Sequence, residues 1–483
     1  MCVPLLFGDG RYIPAPGINW SFCFAPSPLE RGNSDPGTVQ IARCNLCLGS
    51  SGITLAGIKK YRYSSPMYRN ISIPDPPERT PSTPKSATQA AIEETFSFDG
   101  PPDAMISVAG KVYLYFGGNG YFGLQADPEV LSATCEAVLR YGVGTATTRT
   151  AFTSPPVFEV ERRSAEMLGT SHALYTASGY VANQILIESL EKTFDRIFID
   201  EAAHYSLFDA IKRLCGSKRK PIVFKHRNTD DLREQLDTNL QIHERPILLT
   251  DGVFSLLGTI APLNEYTELL ANYEGASLLV DDAHGFGVLG NTGRGTLEHF
   301  GLDTSVVNQT AADSMDDFGL DSVVGESVRT YLTFSLSKAV GGSGGIIPGT
   351  ESFIQRLKDW SAVYFGASAP ASPIAAATAK SLSMLTDAVL RQKLQENVTL
   401  LRSGLRSIGL NVSESPLPMV ILTLGSSGNM RRIQKELSES GILVSYIPRN
   451  VGLGSQGALR IAVFATHTPQ MIQELLDSLR SAG

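Results

Sequence analysis

A single lysine stands between an apolar, strand-like run and a glycine-rich turn. The run YLTFSLS ends at Ser337, Lys338 follows, and AVGGSGG comes next. A lysine in this position can form a Schiff base with an aldehyde, because its amine is a nucleophile and the glycines allow the backbone to approach a ligand closely. The pattern is also typical of a phosphate contact or of a surface lysine, so Lys338 alone does not define the chemistry.

An acidic motif upstream narrows that chemistry. Asp281, Asp282 and His284 follow the apolar run ASLLV at the predicted end of a strand. Pyridoxal phosphate requires a carboxylate that keeps its ring nitrogen protonated and a lysine that carries its aldehyde as an imine. Asp281 and Lys338 supply this pair, and His284 can lie near the ring hydroxyl. An acidic loop, a metal site or an ATPase motif would also fit, but the GxxxxGK[ST] sequence of an ATPase is missing upstream.

The composition of the chain limits the classes of protein to which it can belong. With 483 residues and 42% hydrophobic content, the chain can bury a large core, as two or more domains. The net charge is −7 and the basic residues are not clustered, which disfavours nucleic-acid binding. A run of eighteen apolar residues and a secretory leader at Met1 are both absent from the sequence, so we expect a cytoplasmic enzyme. The six cysteines include one CxxC, Cys44 to Cys47, without a second pair, and no metal site is predicted.

Short apolar runs alternate with helical patterns from about Ala90 onward. This alternation predicts an α/β protein with a mostly parallel sheet between helices, whose ligands bind at the carboxyl ends of the strands. Residues 1–88 are rich in Pro, Gly and Ser and are predicted to be a poorly structured extension. We divide the rest into an N-terminal segment (89–150), a large cofactor-binding domain (151–370) and a small C-terminal α/β domain (371–483). Residues 303–328 are acidic and polar and are predicted to form a surface loop.

Several blocks occur in an order that resembles one family. VDDAHGFGVLGNTGRG precedes the lysine segment, and FGGNGYFGL, YGVGT, TASGYVANQ and DGVFSLLGTIAPL come before it. From about residue 90 to 483 the chain resembles the α-oxoamine synthases, pyridoxal-phosphate enzymes of fold type I. The resemblance implies a decarboxylative condensation of an amino acid with an acyl thioester, most simply acyl-CoA, giving an α-amino ketone. It also implies a homodimer with its active site between the subunits.

The resemblance assigns catalytic roles by position. Lys338 would be the Schiff-base lysine and the base, Asp281 the partner of the ring nitrogen, and His204 the imidazole stacked on the ring. Other cofactor contacts would be made by His284, Ser255, Ser178, Gly179, Tyr180, Ser335 and, from the neighbouring subunit, Ser368. The substrate carboxylate would be held by Asn119 and Arg460.

The chain departs from the family in segments that would contact substrates. TATTRTAFTSPP replaces a glycine-rich stretch, Phe158 stands where the family has a histidine, and an R-P-P segment is missing. Two other functions therefore stay open: another reaction of the same fold, such as transamination, and a non-catalytic partner subunit. The presence of Lys338 and His284 disfavours the second.

Overall fold

The computed structural model describes residues 97–215, 220–302, 328–448 and 451–482. The predicted extension, the CxxC pair and nearly all of the acidic segment lie outside these residues. The strands are β1 (Met105–Val108), β2 (Lys111–Tyr115), β3 (His172–Thr176), β4 (Arg196–Asp200), β5 (Ile222–Phe224), β6 (Pro246–Asp251), β7 (Val253–Phe254), β8 (Thr259–Ile260), β9 (Ser277–Asp281), β10 (Arg329–Ser335), β11 (Gly345–Gly349), β12 (Met419–Leu422), β13 (Ile442–Leu443), β14 (Ser445–Ile447) and β15 (Ala458–Ala462).

The helices fall between these strands. They are α1 (Pro128–Tyr141), α2 (Pro155–Leu168), α3 (Gly179–Ser189), α4 (Tyr205–Cys215), α5 (Thr229–Asn239), α6 (Leu263–Leu270), α7 (Thr296–His299), α8 (Glu351–Trp360), α9 (Ala362–Gly366), α10 (Ser372–Leu385), α11 (Ala388–Ser407), α12 (Ser427–Glu439) and α13 (Pro469–Ala482). The sequence Asp127-Pro128 predicts the start of a helix, and α1 begins there: Asp127 caps it by accepting from the Glu129 N–H, and Pro128 occupies its first position.

The central sheet has seven strands in the order β3, β11, β10, β9, β6, β4, β5. The pairs from β10 to β5 are parallel, whereas β11 is antiparallel to both of its neighbours. Leu278 and Val280 of β9 pack into one hydrophobic cluster and Leu279 packs into another, because successive side chains point to opposite faces of a strand. Both faces are therefore covered, and the predicted mostly parallel sheet is confirmed.

A smaller antiparallel sheet lies toward the C-terminus. Its strands have the order β12, β15, β14; α12 packs on β14 and β15, and α13 packs against α11 and α12. A third sheet joins β1 and β2 to β13, in parallel pairing with β2. Part of the segment that we assigned to 89–150 thus pairs with the region that we assigned to 371–483. The domain boundaries themselves stay a prediction. Within the described ranges, no helix combines the length and the apolar character needed to cross a bilayer.

Candidate active site

Three neighbouring strands of the central sheet end at the same edge. Asp251 at the end of β6 is aligned with Asp281 at the end of β9, and Asp281 is aligned with Thr333 of β10. Lys338 follows β10 by three residues. Since the carboxyl ends of parallel strands meet at one edge, the sheet brings the predicted acid and the predicted lysine together.

The turn that carries Lys338 requires glycine. Gly341 and Gly344 have φ angles of +66° and +103°. A Cβ atom on Gly344 would lie 2.3 Å from a ring carbon of Tyr175, so a side chain there would displace the turn. Burial, more than the positive charge of Arg460, lowers the pKa of the partly buried Lys338, and the charge of Asp281 opposes this shift. The amine is therefore easier to obtain in its neutral, nucleophilic form than that of an exposed lysine.

The two aspartates of the DDAH motif have different environments. Asp281 is partly exposed and accepts hydrogen bonds from the Asn183 side chain (2.6 Å) and the Ala283 N–H (3.2 Å). Asp282 is fully buried and accepts from the backbone N–H and hydroxyl of Thr296 at 2.6 and 2.5 Å. Burial raises the pKa of Asp282 to about 6, and its bonds to Thr296 oppose the shift. Asp282 therefore holds the loop after β9 in place through its bonds to Thr296, and Asp281 remains available to a ligand.

Asp251 and Asp281 form a coupled pair of carboxyl groups. Burial and then the charge of Asp281 raise the pKa of Asp251 well above its usual range. Burial also raises the pKa of Asp281, but the hydrogen bonds from Asn183 and from the Ala283 N–H oppose that shift. Of the two groups, Asp251 therefore favours its protonated form more strongly than Asp281 does. Asp251 also accepts a hydrogen bond from the backbone N–H of His204 at 2.9 Å.

The two predicted histidines, His204 and His284, differ in their exposure to solvent. His204 is exposed, and its ring meets that of Tyr180 edge-on at 6.4 Å. His284 is partly buried, and its Nδ1 is 2.8 Å from the hydroxyl of Tyr121. Burial and then the charge of Lys338 lower the pKa of His284 well below its usual range, so the ring is neutral. An exposed imidazole can stack on a flat ligand, and a neutral one can bond to a ring hydroxyl.

The predicted phosphate contacts converge at the start of α3. Ser178 caps this helix by accepting from the Val181 N–H at 3.2 Å, which leaves the first N–H groups of the helix available to an anion. A Cβ atom on Gly179 would lie 3.1 Å from the Cβ of Ser335, so only glycine lets these segments approach without adjustment. Ser335 shares a hydrogen bond with Ser337 at 2.8 Å. The hydroxyl of Tyr180 instead donates to Asp209, which leaves only the backbone of Tyr180 for the phosphate.

The two predicted substrate residues contact each other. Arg460 is 4% exposed, and its Nη2 donates to Oδ1 of Asn119 at 2.5 Å. Its other nitrogens donate to the backbone carbonyls of Gly117, Gly118 and Ser255. The carbonyl of Ser255 thus links the loop after β7 to β15. Most of the guanidinium donors are already used inside the protein, so a substrate carboxylate would have to compete with Asn119.

Ser368 is separate from this cluster. It is exposed in the loop between α9 and α10, and none of the contacts that the described residues make around Lys338 involves it. A cavity of about 420 Å³ lies nearby, lined by Phe158, Tyr364, Phe365 and polar residues that include Arg149.

Three residues of the site were not predicted. Tyr121 and Asn183 stand in the blocks FGGNGYFGL and TASGYVANQ, where their apolar neighbours suggest core positions. Their polar partners, His284 and Asp281, are 163 and 98 residues away in the chain. Asp251 could have been predicted, because it ends a strand in an acid as Asp281 does.

These residues fit pyridoxal phosphate. Asp281 presents a carboxylate whose burial a protonated ring nitrogen would compensate. Lys338 has a lowered pKa, as an amine that reacts with an aldehyde requires. Gly179 allows the N-terminus of α3 to approach Ser335, which suits a phosphate.

Comparison with known proteins gives a consistent result. A family model described as aminotransferase class I and II matches residues 112–479. The 8-amino-7-oxononanoate synthase of Cellvibrio japonicus is 34% identical over 382 residues, covering 78% of this chain and 89% of that protein. The synthase of the same name from Herminiimonas arsenicoxydans is 33% identical, covering 79% and 93%. The solved structure of Sphingomonas wittichii serine palmitoyltransferase matches with a TM-score of 0.70 at 25% identity, covering 80% of this chain and 92% of that one.

Proposed function

The chain belongs to the aminotransferase class I and II family and, within it, to the α-oxoamine synthases, and on this premise we propose which of its residues carry the reaction. It is a pyridoxal-phosphate-dependent acyltransferase that condenses an amino acid with an acyl thioester. The proposal concerns Lys338, Asp281 and His204, and acyl-CoA as the thioester. The observation that carries it is the edge of the sheet at which Asp281 and Lys338 meet, near enough for each charge to shift the pKa of the other group.

When bound, pyridoxal phosphate supplies an electron sink that stabilises negative charge on the α-carbon of the amino acid. Asp281 would hold the proton on the ring nitrogen, since an ionised carboxylate favours a cationic neighbour. Lys338 would bind the aldehyde and then take the α-proton, which a lowered pKa favours because more of the amine is neutral at a given pH. Arg460 and Asn119 would orient the substrate carboxylate, and His204 would donate a hydrogen bond to the thioester carbonyl.

The product class follows from the same chemistry. The new bond joins the α-carbon to the acyl carbonyl carbon, the thiol leaves, and loss of carbon dioxide gives an α-amino ketone. The relatives are 8-amino-7-oxononanoate synthases, and this name describes such a compound, with an amino group beside a keto group. A series of acyl-CoAs of different length determines which acyl chain this enzyme accepts.

The reaction is tested by following thiol release from a series of acyl-CoAs with glycine, alanine or serine. We expect thiol to appear only when both substrates are present, together with one equivalent of carbon dioxide. Lys338→Ala should abolish release. Amino transfer to a keto acid without thiol release would instead favour transamination, and protein that binds no cofactor would favour a non-catalytic subunit.

We also propose that the enzyme is a homodimer in the cytoplasm. Phe152, Phe158 and Phe365 are 70%, 57% and 60% exposed, and an apolar surface of this kind is typical of a protein interface. Ser368 lies three residues after Phe365, so a partner subunit that covers this surface would contact the loop that carries Ser368. The exposed free thiol of Cys135 is consistent with a reducing compartment.

The dimer is tested by sedimentation of the wild type and of Phe365→Glu. The wild type should sediment as a dimer, and the added charge should shift the protein toward a monomer with little activity. Ile242→Glu, at an apolar side chain between α5 and β6 that is 87% exposed, is the control and should leave the dimer intact. A monomeric, fully active wild type would contradict the proposal. Cell fractionation tests the location.

A further inference from the structure

A buried asparagine links the strand end of Asp281 to the helix that follows His204. Asn183 is 0% exposed and uses its whole amide group. Its Oδ1 accepts from the Thr333 hydroxyl at 2.5 Å, and its Nδ2 donates to Asp281 at 2.6 Å and to the Ser206 hydroxyl at 2.8 Å. This orientation of the amide is the one that an ionised Asp281 requires, because a carboxylate can only accept.

The amide orientation fixes the direction of the next hydrogen bond. The oxygen of Ser206 accepts from Asn183, so its single proton is free to point to Nδ1 of His204, 2.7 Å away. The backbone N–H of Ser206 also donates to this Nδ1, at 3.2 Å. A nitrogen that accepts from two donors carries no proton itself, so the proton of the neutral ring is on Nε2. Within the described residues, Nε2 has no hydrogen-bond partner and His204 is exposed.

We propose that Asn183 and Ser206 are positioning residues that fix His204 as the tautomer with its proton on Nε2. They thereby connect the carboxylate assigned to the ring nitrogen with the imidazole assigned to the thioester carbonyl. With the proton on Nε2, His204 presents a donor to a substrate; with the proton on Nδ1, it would present an acceptor and could not polarise a carbonyl. The role in catalysis rests on the proposed function, whereas the tautomer does not.

The tautomer is measured on the cofactor-free protein by long-range ¹H–¹⁵N correlation NMR with ¹⁵N-labelled histidine. His204→Asn identifies the signals by their loss. We expect the two ring nitrogens of His204 to show the shifts and couplings of a proton on Nε2. A proton on Nδ1 in the wild type would overturn the proposal.

Variants test the connection through Asn183. Asn183→Leu has nearly the same shape, and the hydrogen bonds of Asn183 go to Ser206, Asp281 and Thr333 rather than to His204. The variant should nevertheless move the Nδ1 signal of His204 toward that of a nitrogen without a strong donor. Ser206→Ala should do the same, and Ser206→Thr, which keeps the hydroxyl, should restore the wild-type signal. Ser189→Ala is the matched control, because this buried serine of α3 donates only to the Ile185 carbonyl. If Asn183→Leu fails to fold, Ser206→Ala decides, and an unchanged His204 signal in it contradicts the proposal.

Kinetics of the cofactor-loaded enzyme give a second readout. Ser206→Ala should lower kcat about tenfold, the effect of one lost hydrogen bond, while KM for the amino acid stays within about twofold. If wild-type His204 carries its proton on Nε2 but the enzyme releases no thiol, the hydrogen-bond chain stands and the proposed function is contradicted. If the enzyme releases thiol but His204 carries its proton on Nδ1, the proposed function stands and the hydrogen-bond chain is contradicted.

Discussion

Tyr121→Phe should destabilise the protein, whereas a chemically identical change at Tyr266 should not. The Tyr121 hydroxyl and Nδ1 of His284 are 2.8 Å apart, and the Tyr121 side chain is fully buried. Burial raises the pKa of Tyr121 to about 12, with opposing effects from Arg460, so the hydroxyl keeps its proton and donates it to the neutral imidazole. Removal of the hydroxyl leaves Nδ1 without a partner, which costs about 1–3 kcal/mol.

Tyr266 supplies the control. Its hydroxyl is buried and, within the described residues, has no hydrogen-bond partner. Tyr266→Phe therefore removes a polar group that burial already penalises, and we expect a change near zero or a small gain in stability. The free energy of unfolding should differ between the two variants by about 1–3 kcal/mol.

The comparison is made by urea unfolding of the cofactor-free proteins. Fluorescence and circular dichroism should follow the same transition, since only then does one free energy describe it. Tyr121→Phe should also weaken binding of pyridoxal phosphate, because His284 loses the bond that fixes its ring. Equal losses of stability in the two variants would refute the assigned hydrogen bond, as would a larger loss in Tyr266→Phe.

Three further predictions follow from the geometry. Gly345→Ala places a Cβ atom 2.5 Å from the Ser178 carbonyl oxygen and should weaken binding of pyridoxal phosphate, measured by absorbance titration. Gly428→Ala, whose Cβ would be 3.8 Å from its nearest neighbour, should not, and equal affinities would contradict the packing. Cofactor attachment should become faster as pH rises through the lowered pKa of Lys338. Because the charge of Arg460 lowers this pKa and that of Asp281 raises it, the pH profile should shift to higher pH in Arg460→Met and to lower pH in Asp281→Asn. Shifts of both variants in the same direction would refute the assigned charges. Burial raises the pKa of Asp282 from 3.8 to about 6, so its protonated form favours the folded state. The free energy of unfolding should therefore fall by about 3 kcal/mol as pH rises from 3.8 to 6. Asp282→Asn should flatten this dependence, and an unchanged slope in the variant would contradict the prediction.

Much of the site could be predicted because parallel strands end at one edge. An apolar run that ends in an acid indicated Asp281, and the lysine before a glycine-rich turn indicated Lys338. The DDAH motif also placed His284 near the ring hydroxyl, whereas the resemblance supplied the role of His204, which the spacing of a single histidine does not define. The helical cap at Asp127 followed from local preferences alone.

The remaining contacts depend on pairs that are distant in the chain. Asn183 meets Asp281 and Ser206 only because α3 crosses the edge where β9 ends, and the crossing depends on sheet order. The bond between Asn119 and Arg460 likewise depends on where β15 packs against residues 117–119. Sequence patterns report which face of an element is buried, but they do not report which polar group lies opposite.

Borohydride reduction tests whether Lys338 is the covalent anchor of pyridoxal phosphate. Reduction makes a bond between a lysine and the cofactor permanent, so digestion and mass spectrometry identify the residue. We expect one pyridoxyl group for each chain, on the peptide that contains Lys338, and none in Lys338→Ala. Attachment at another lysine, or unchanged attachment in Lys338→Ala, would contradict it.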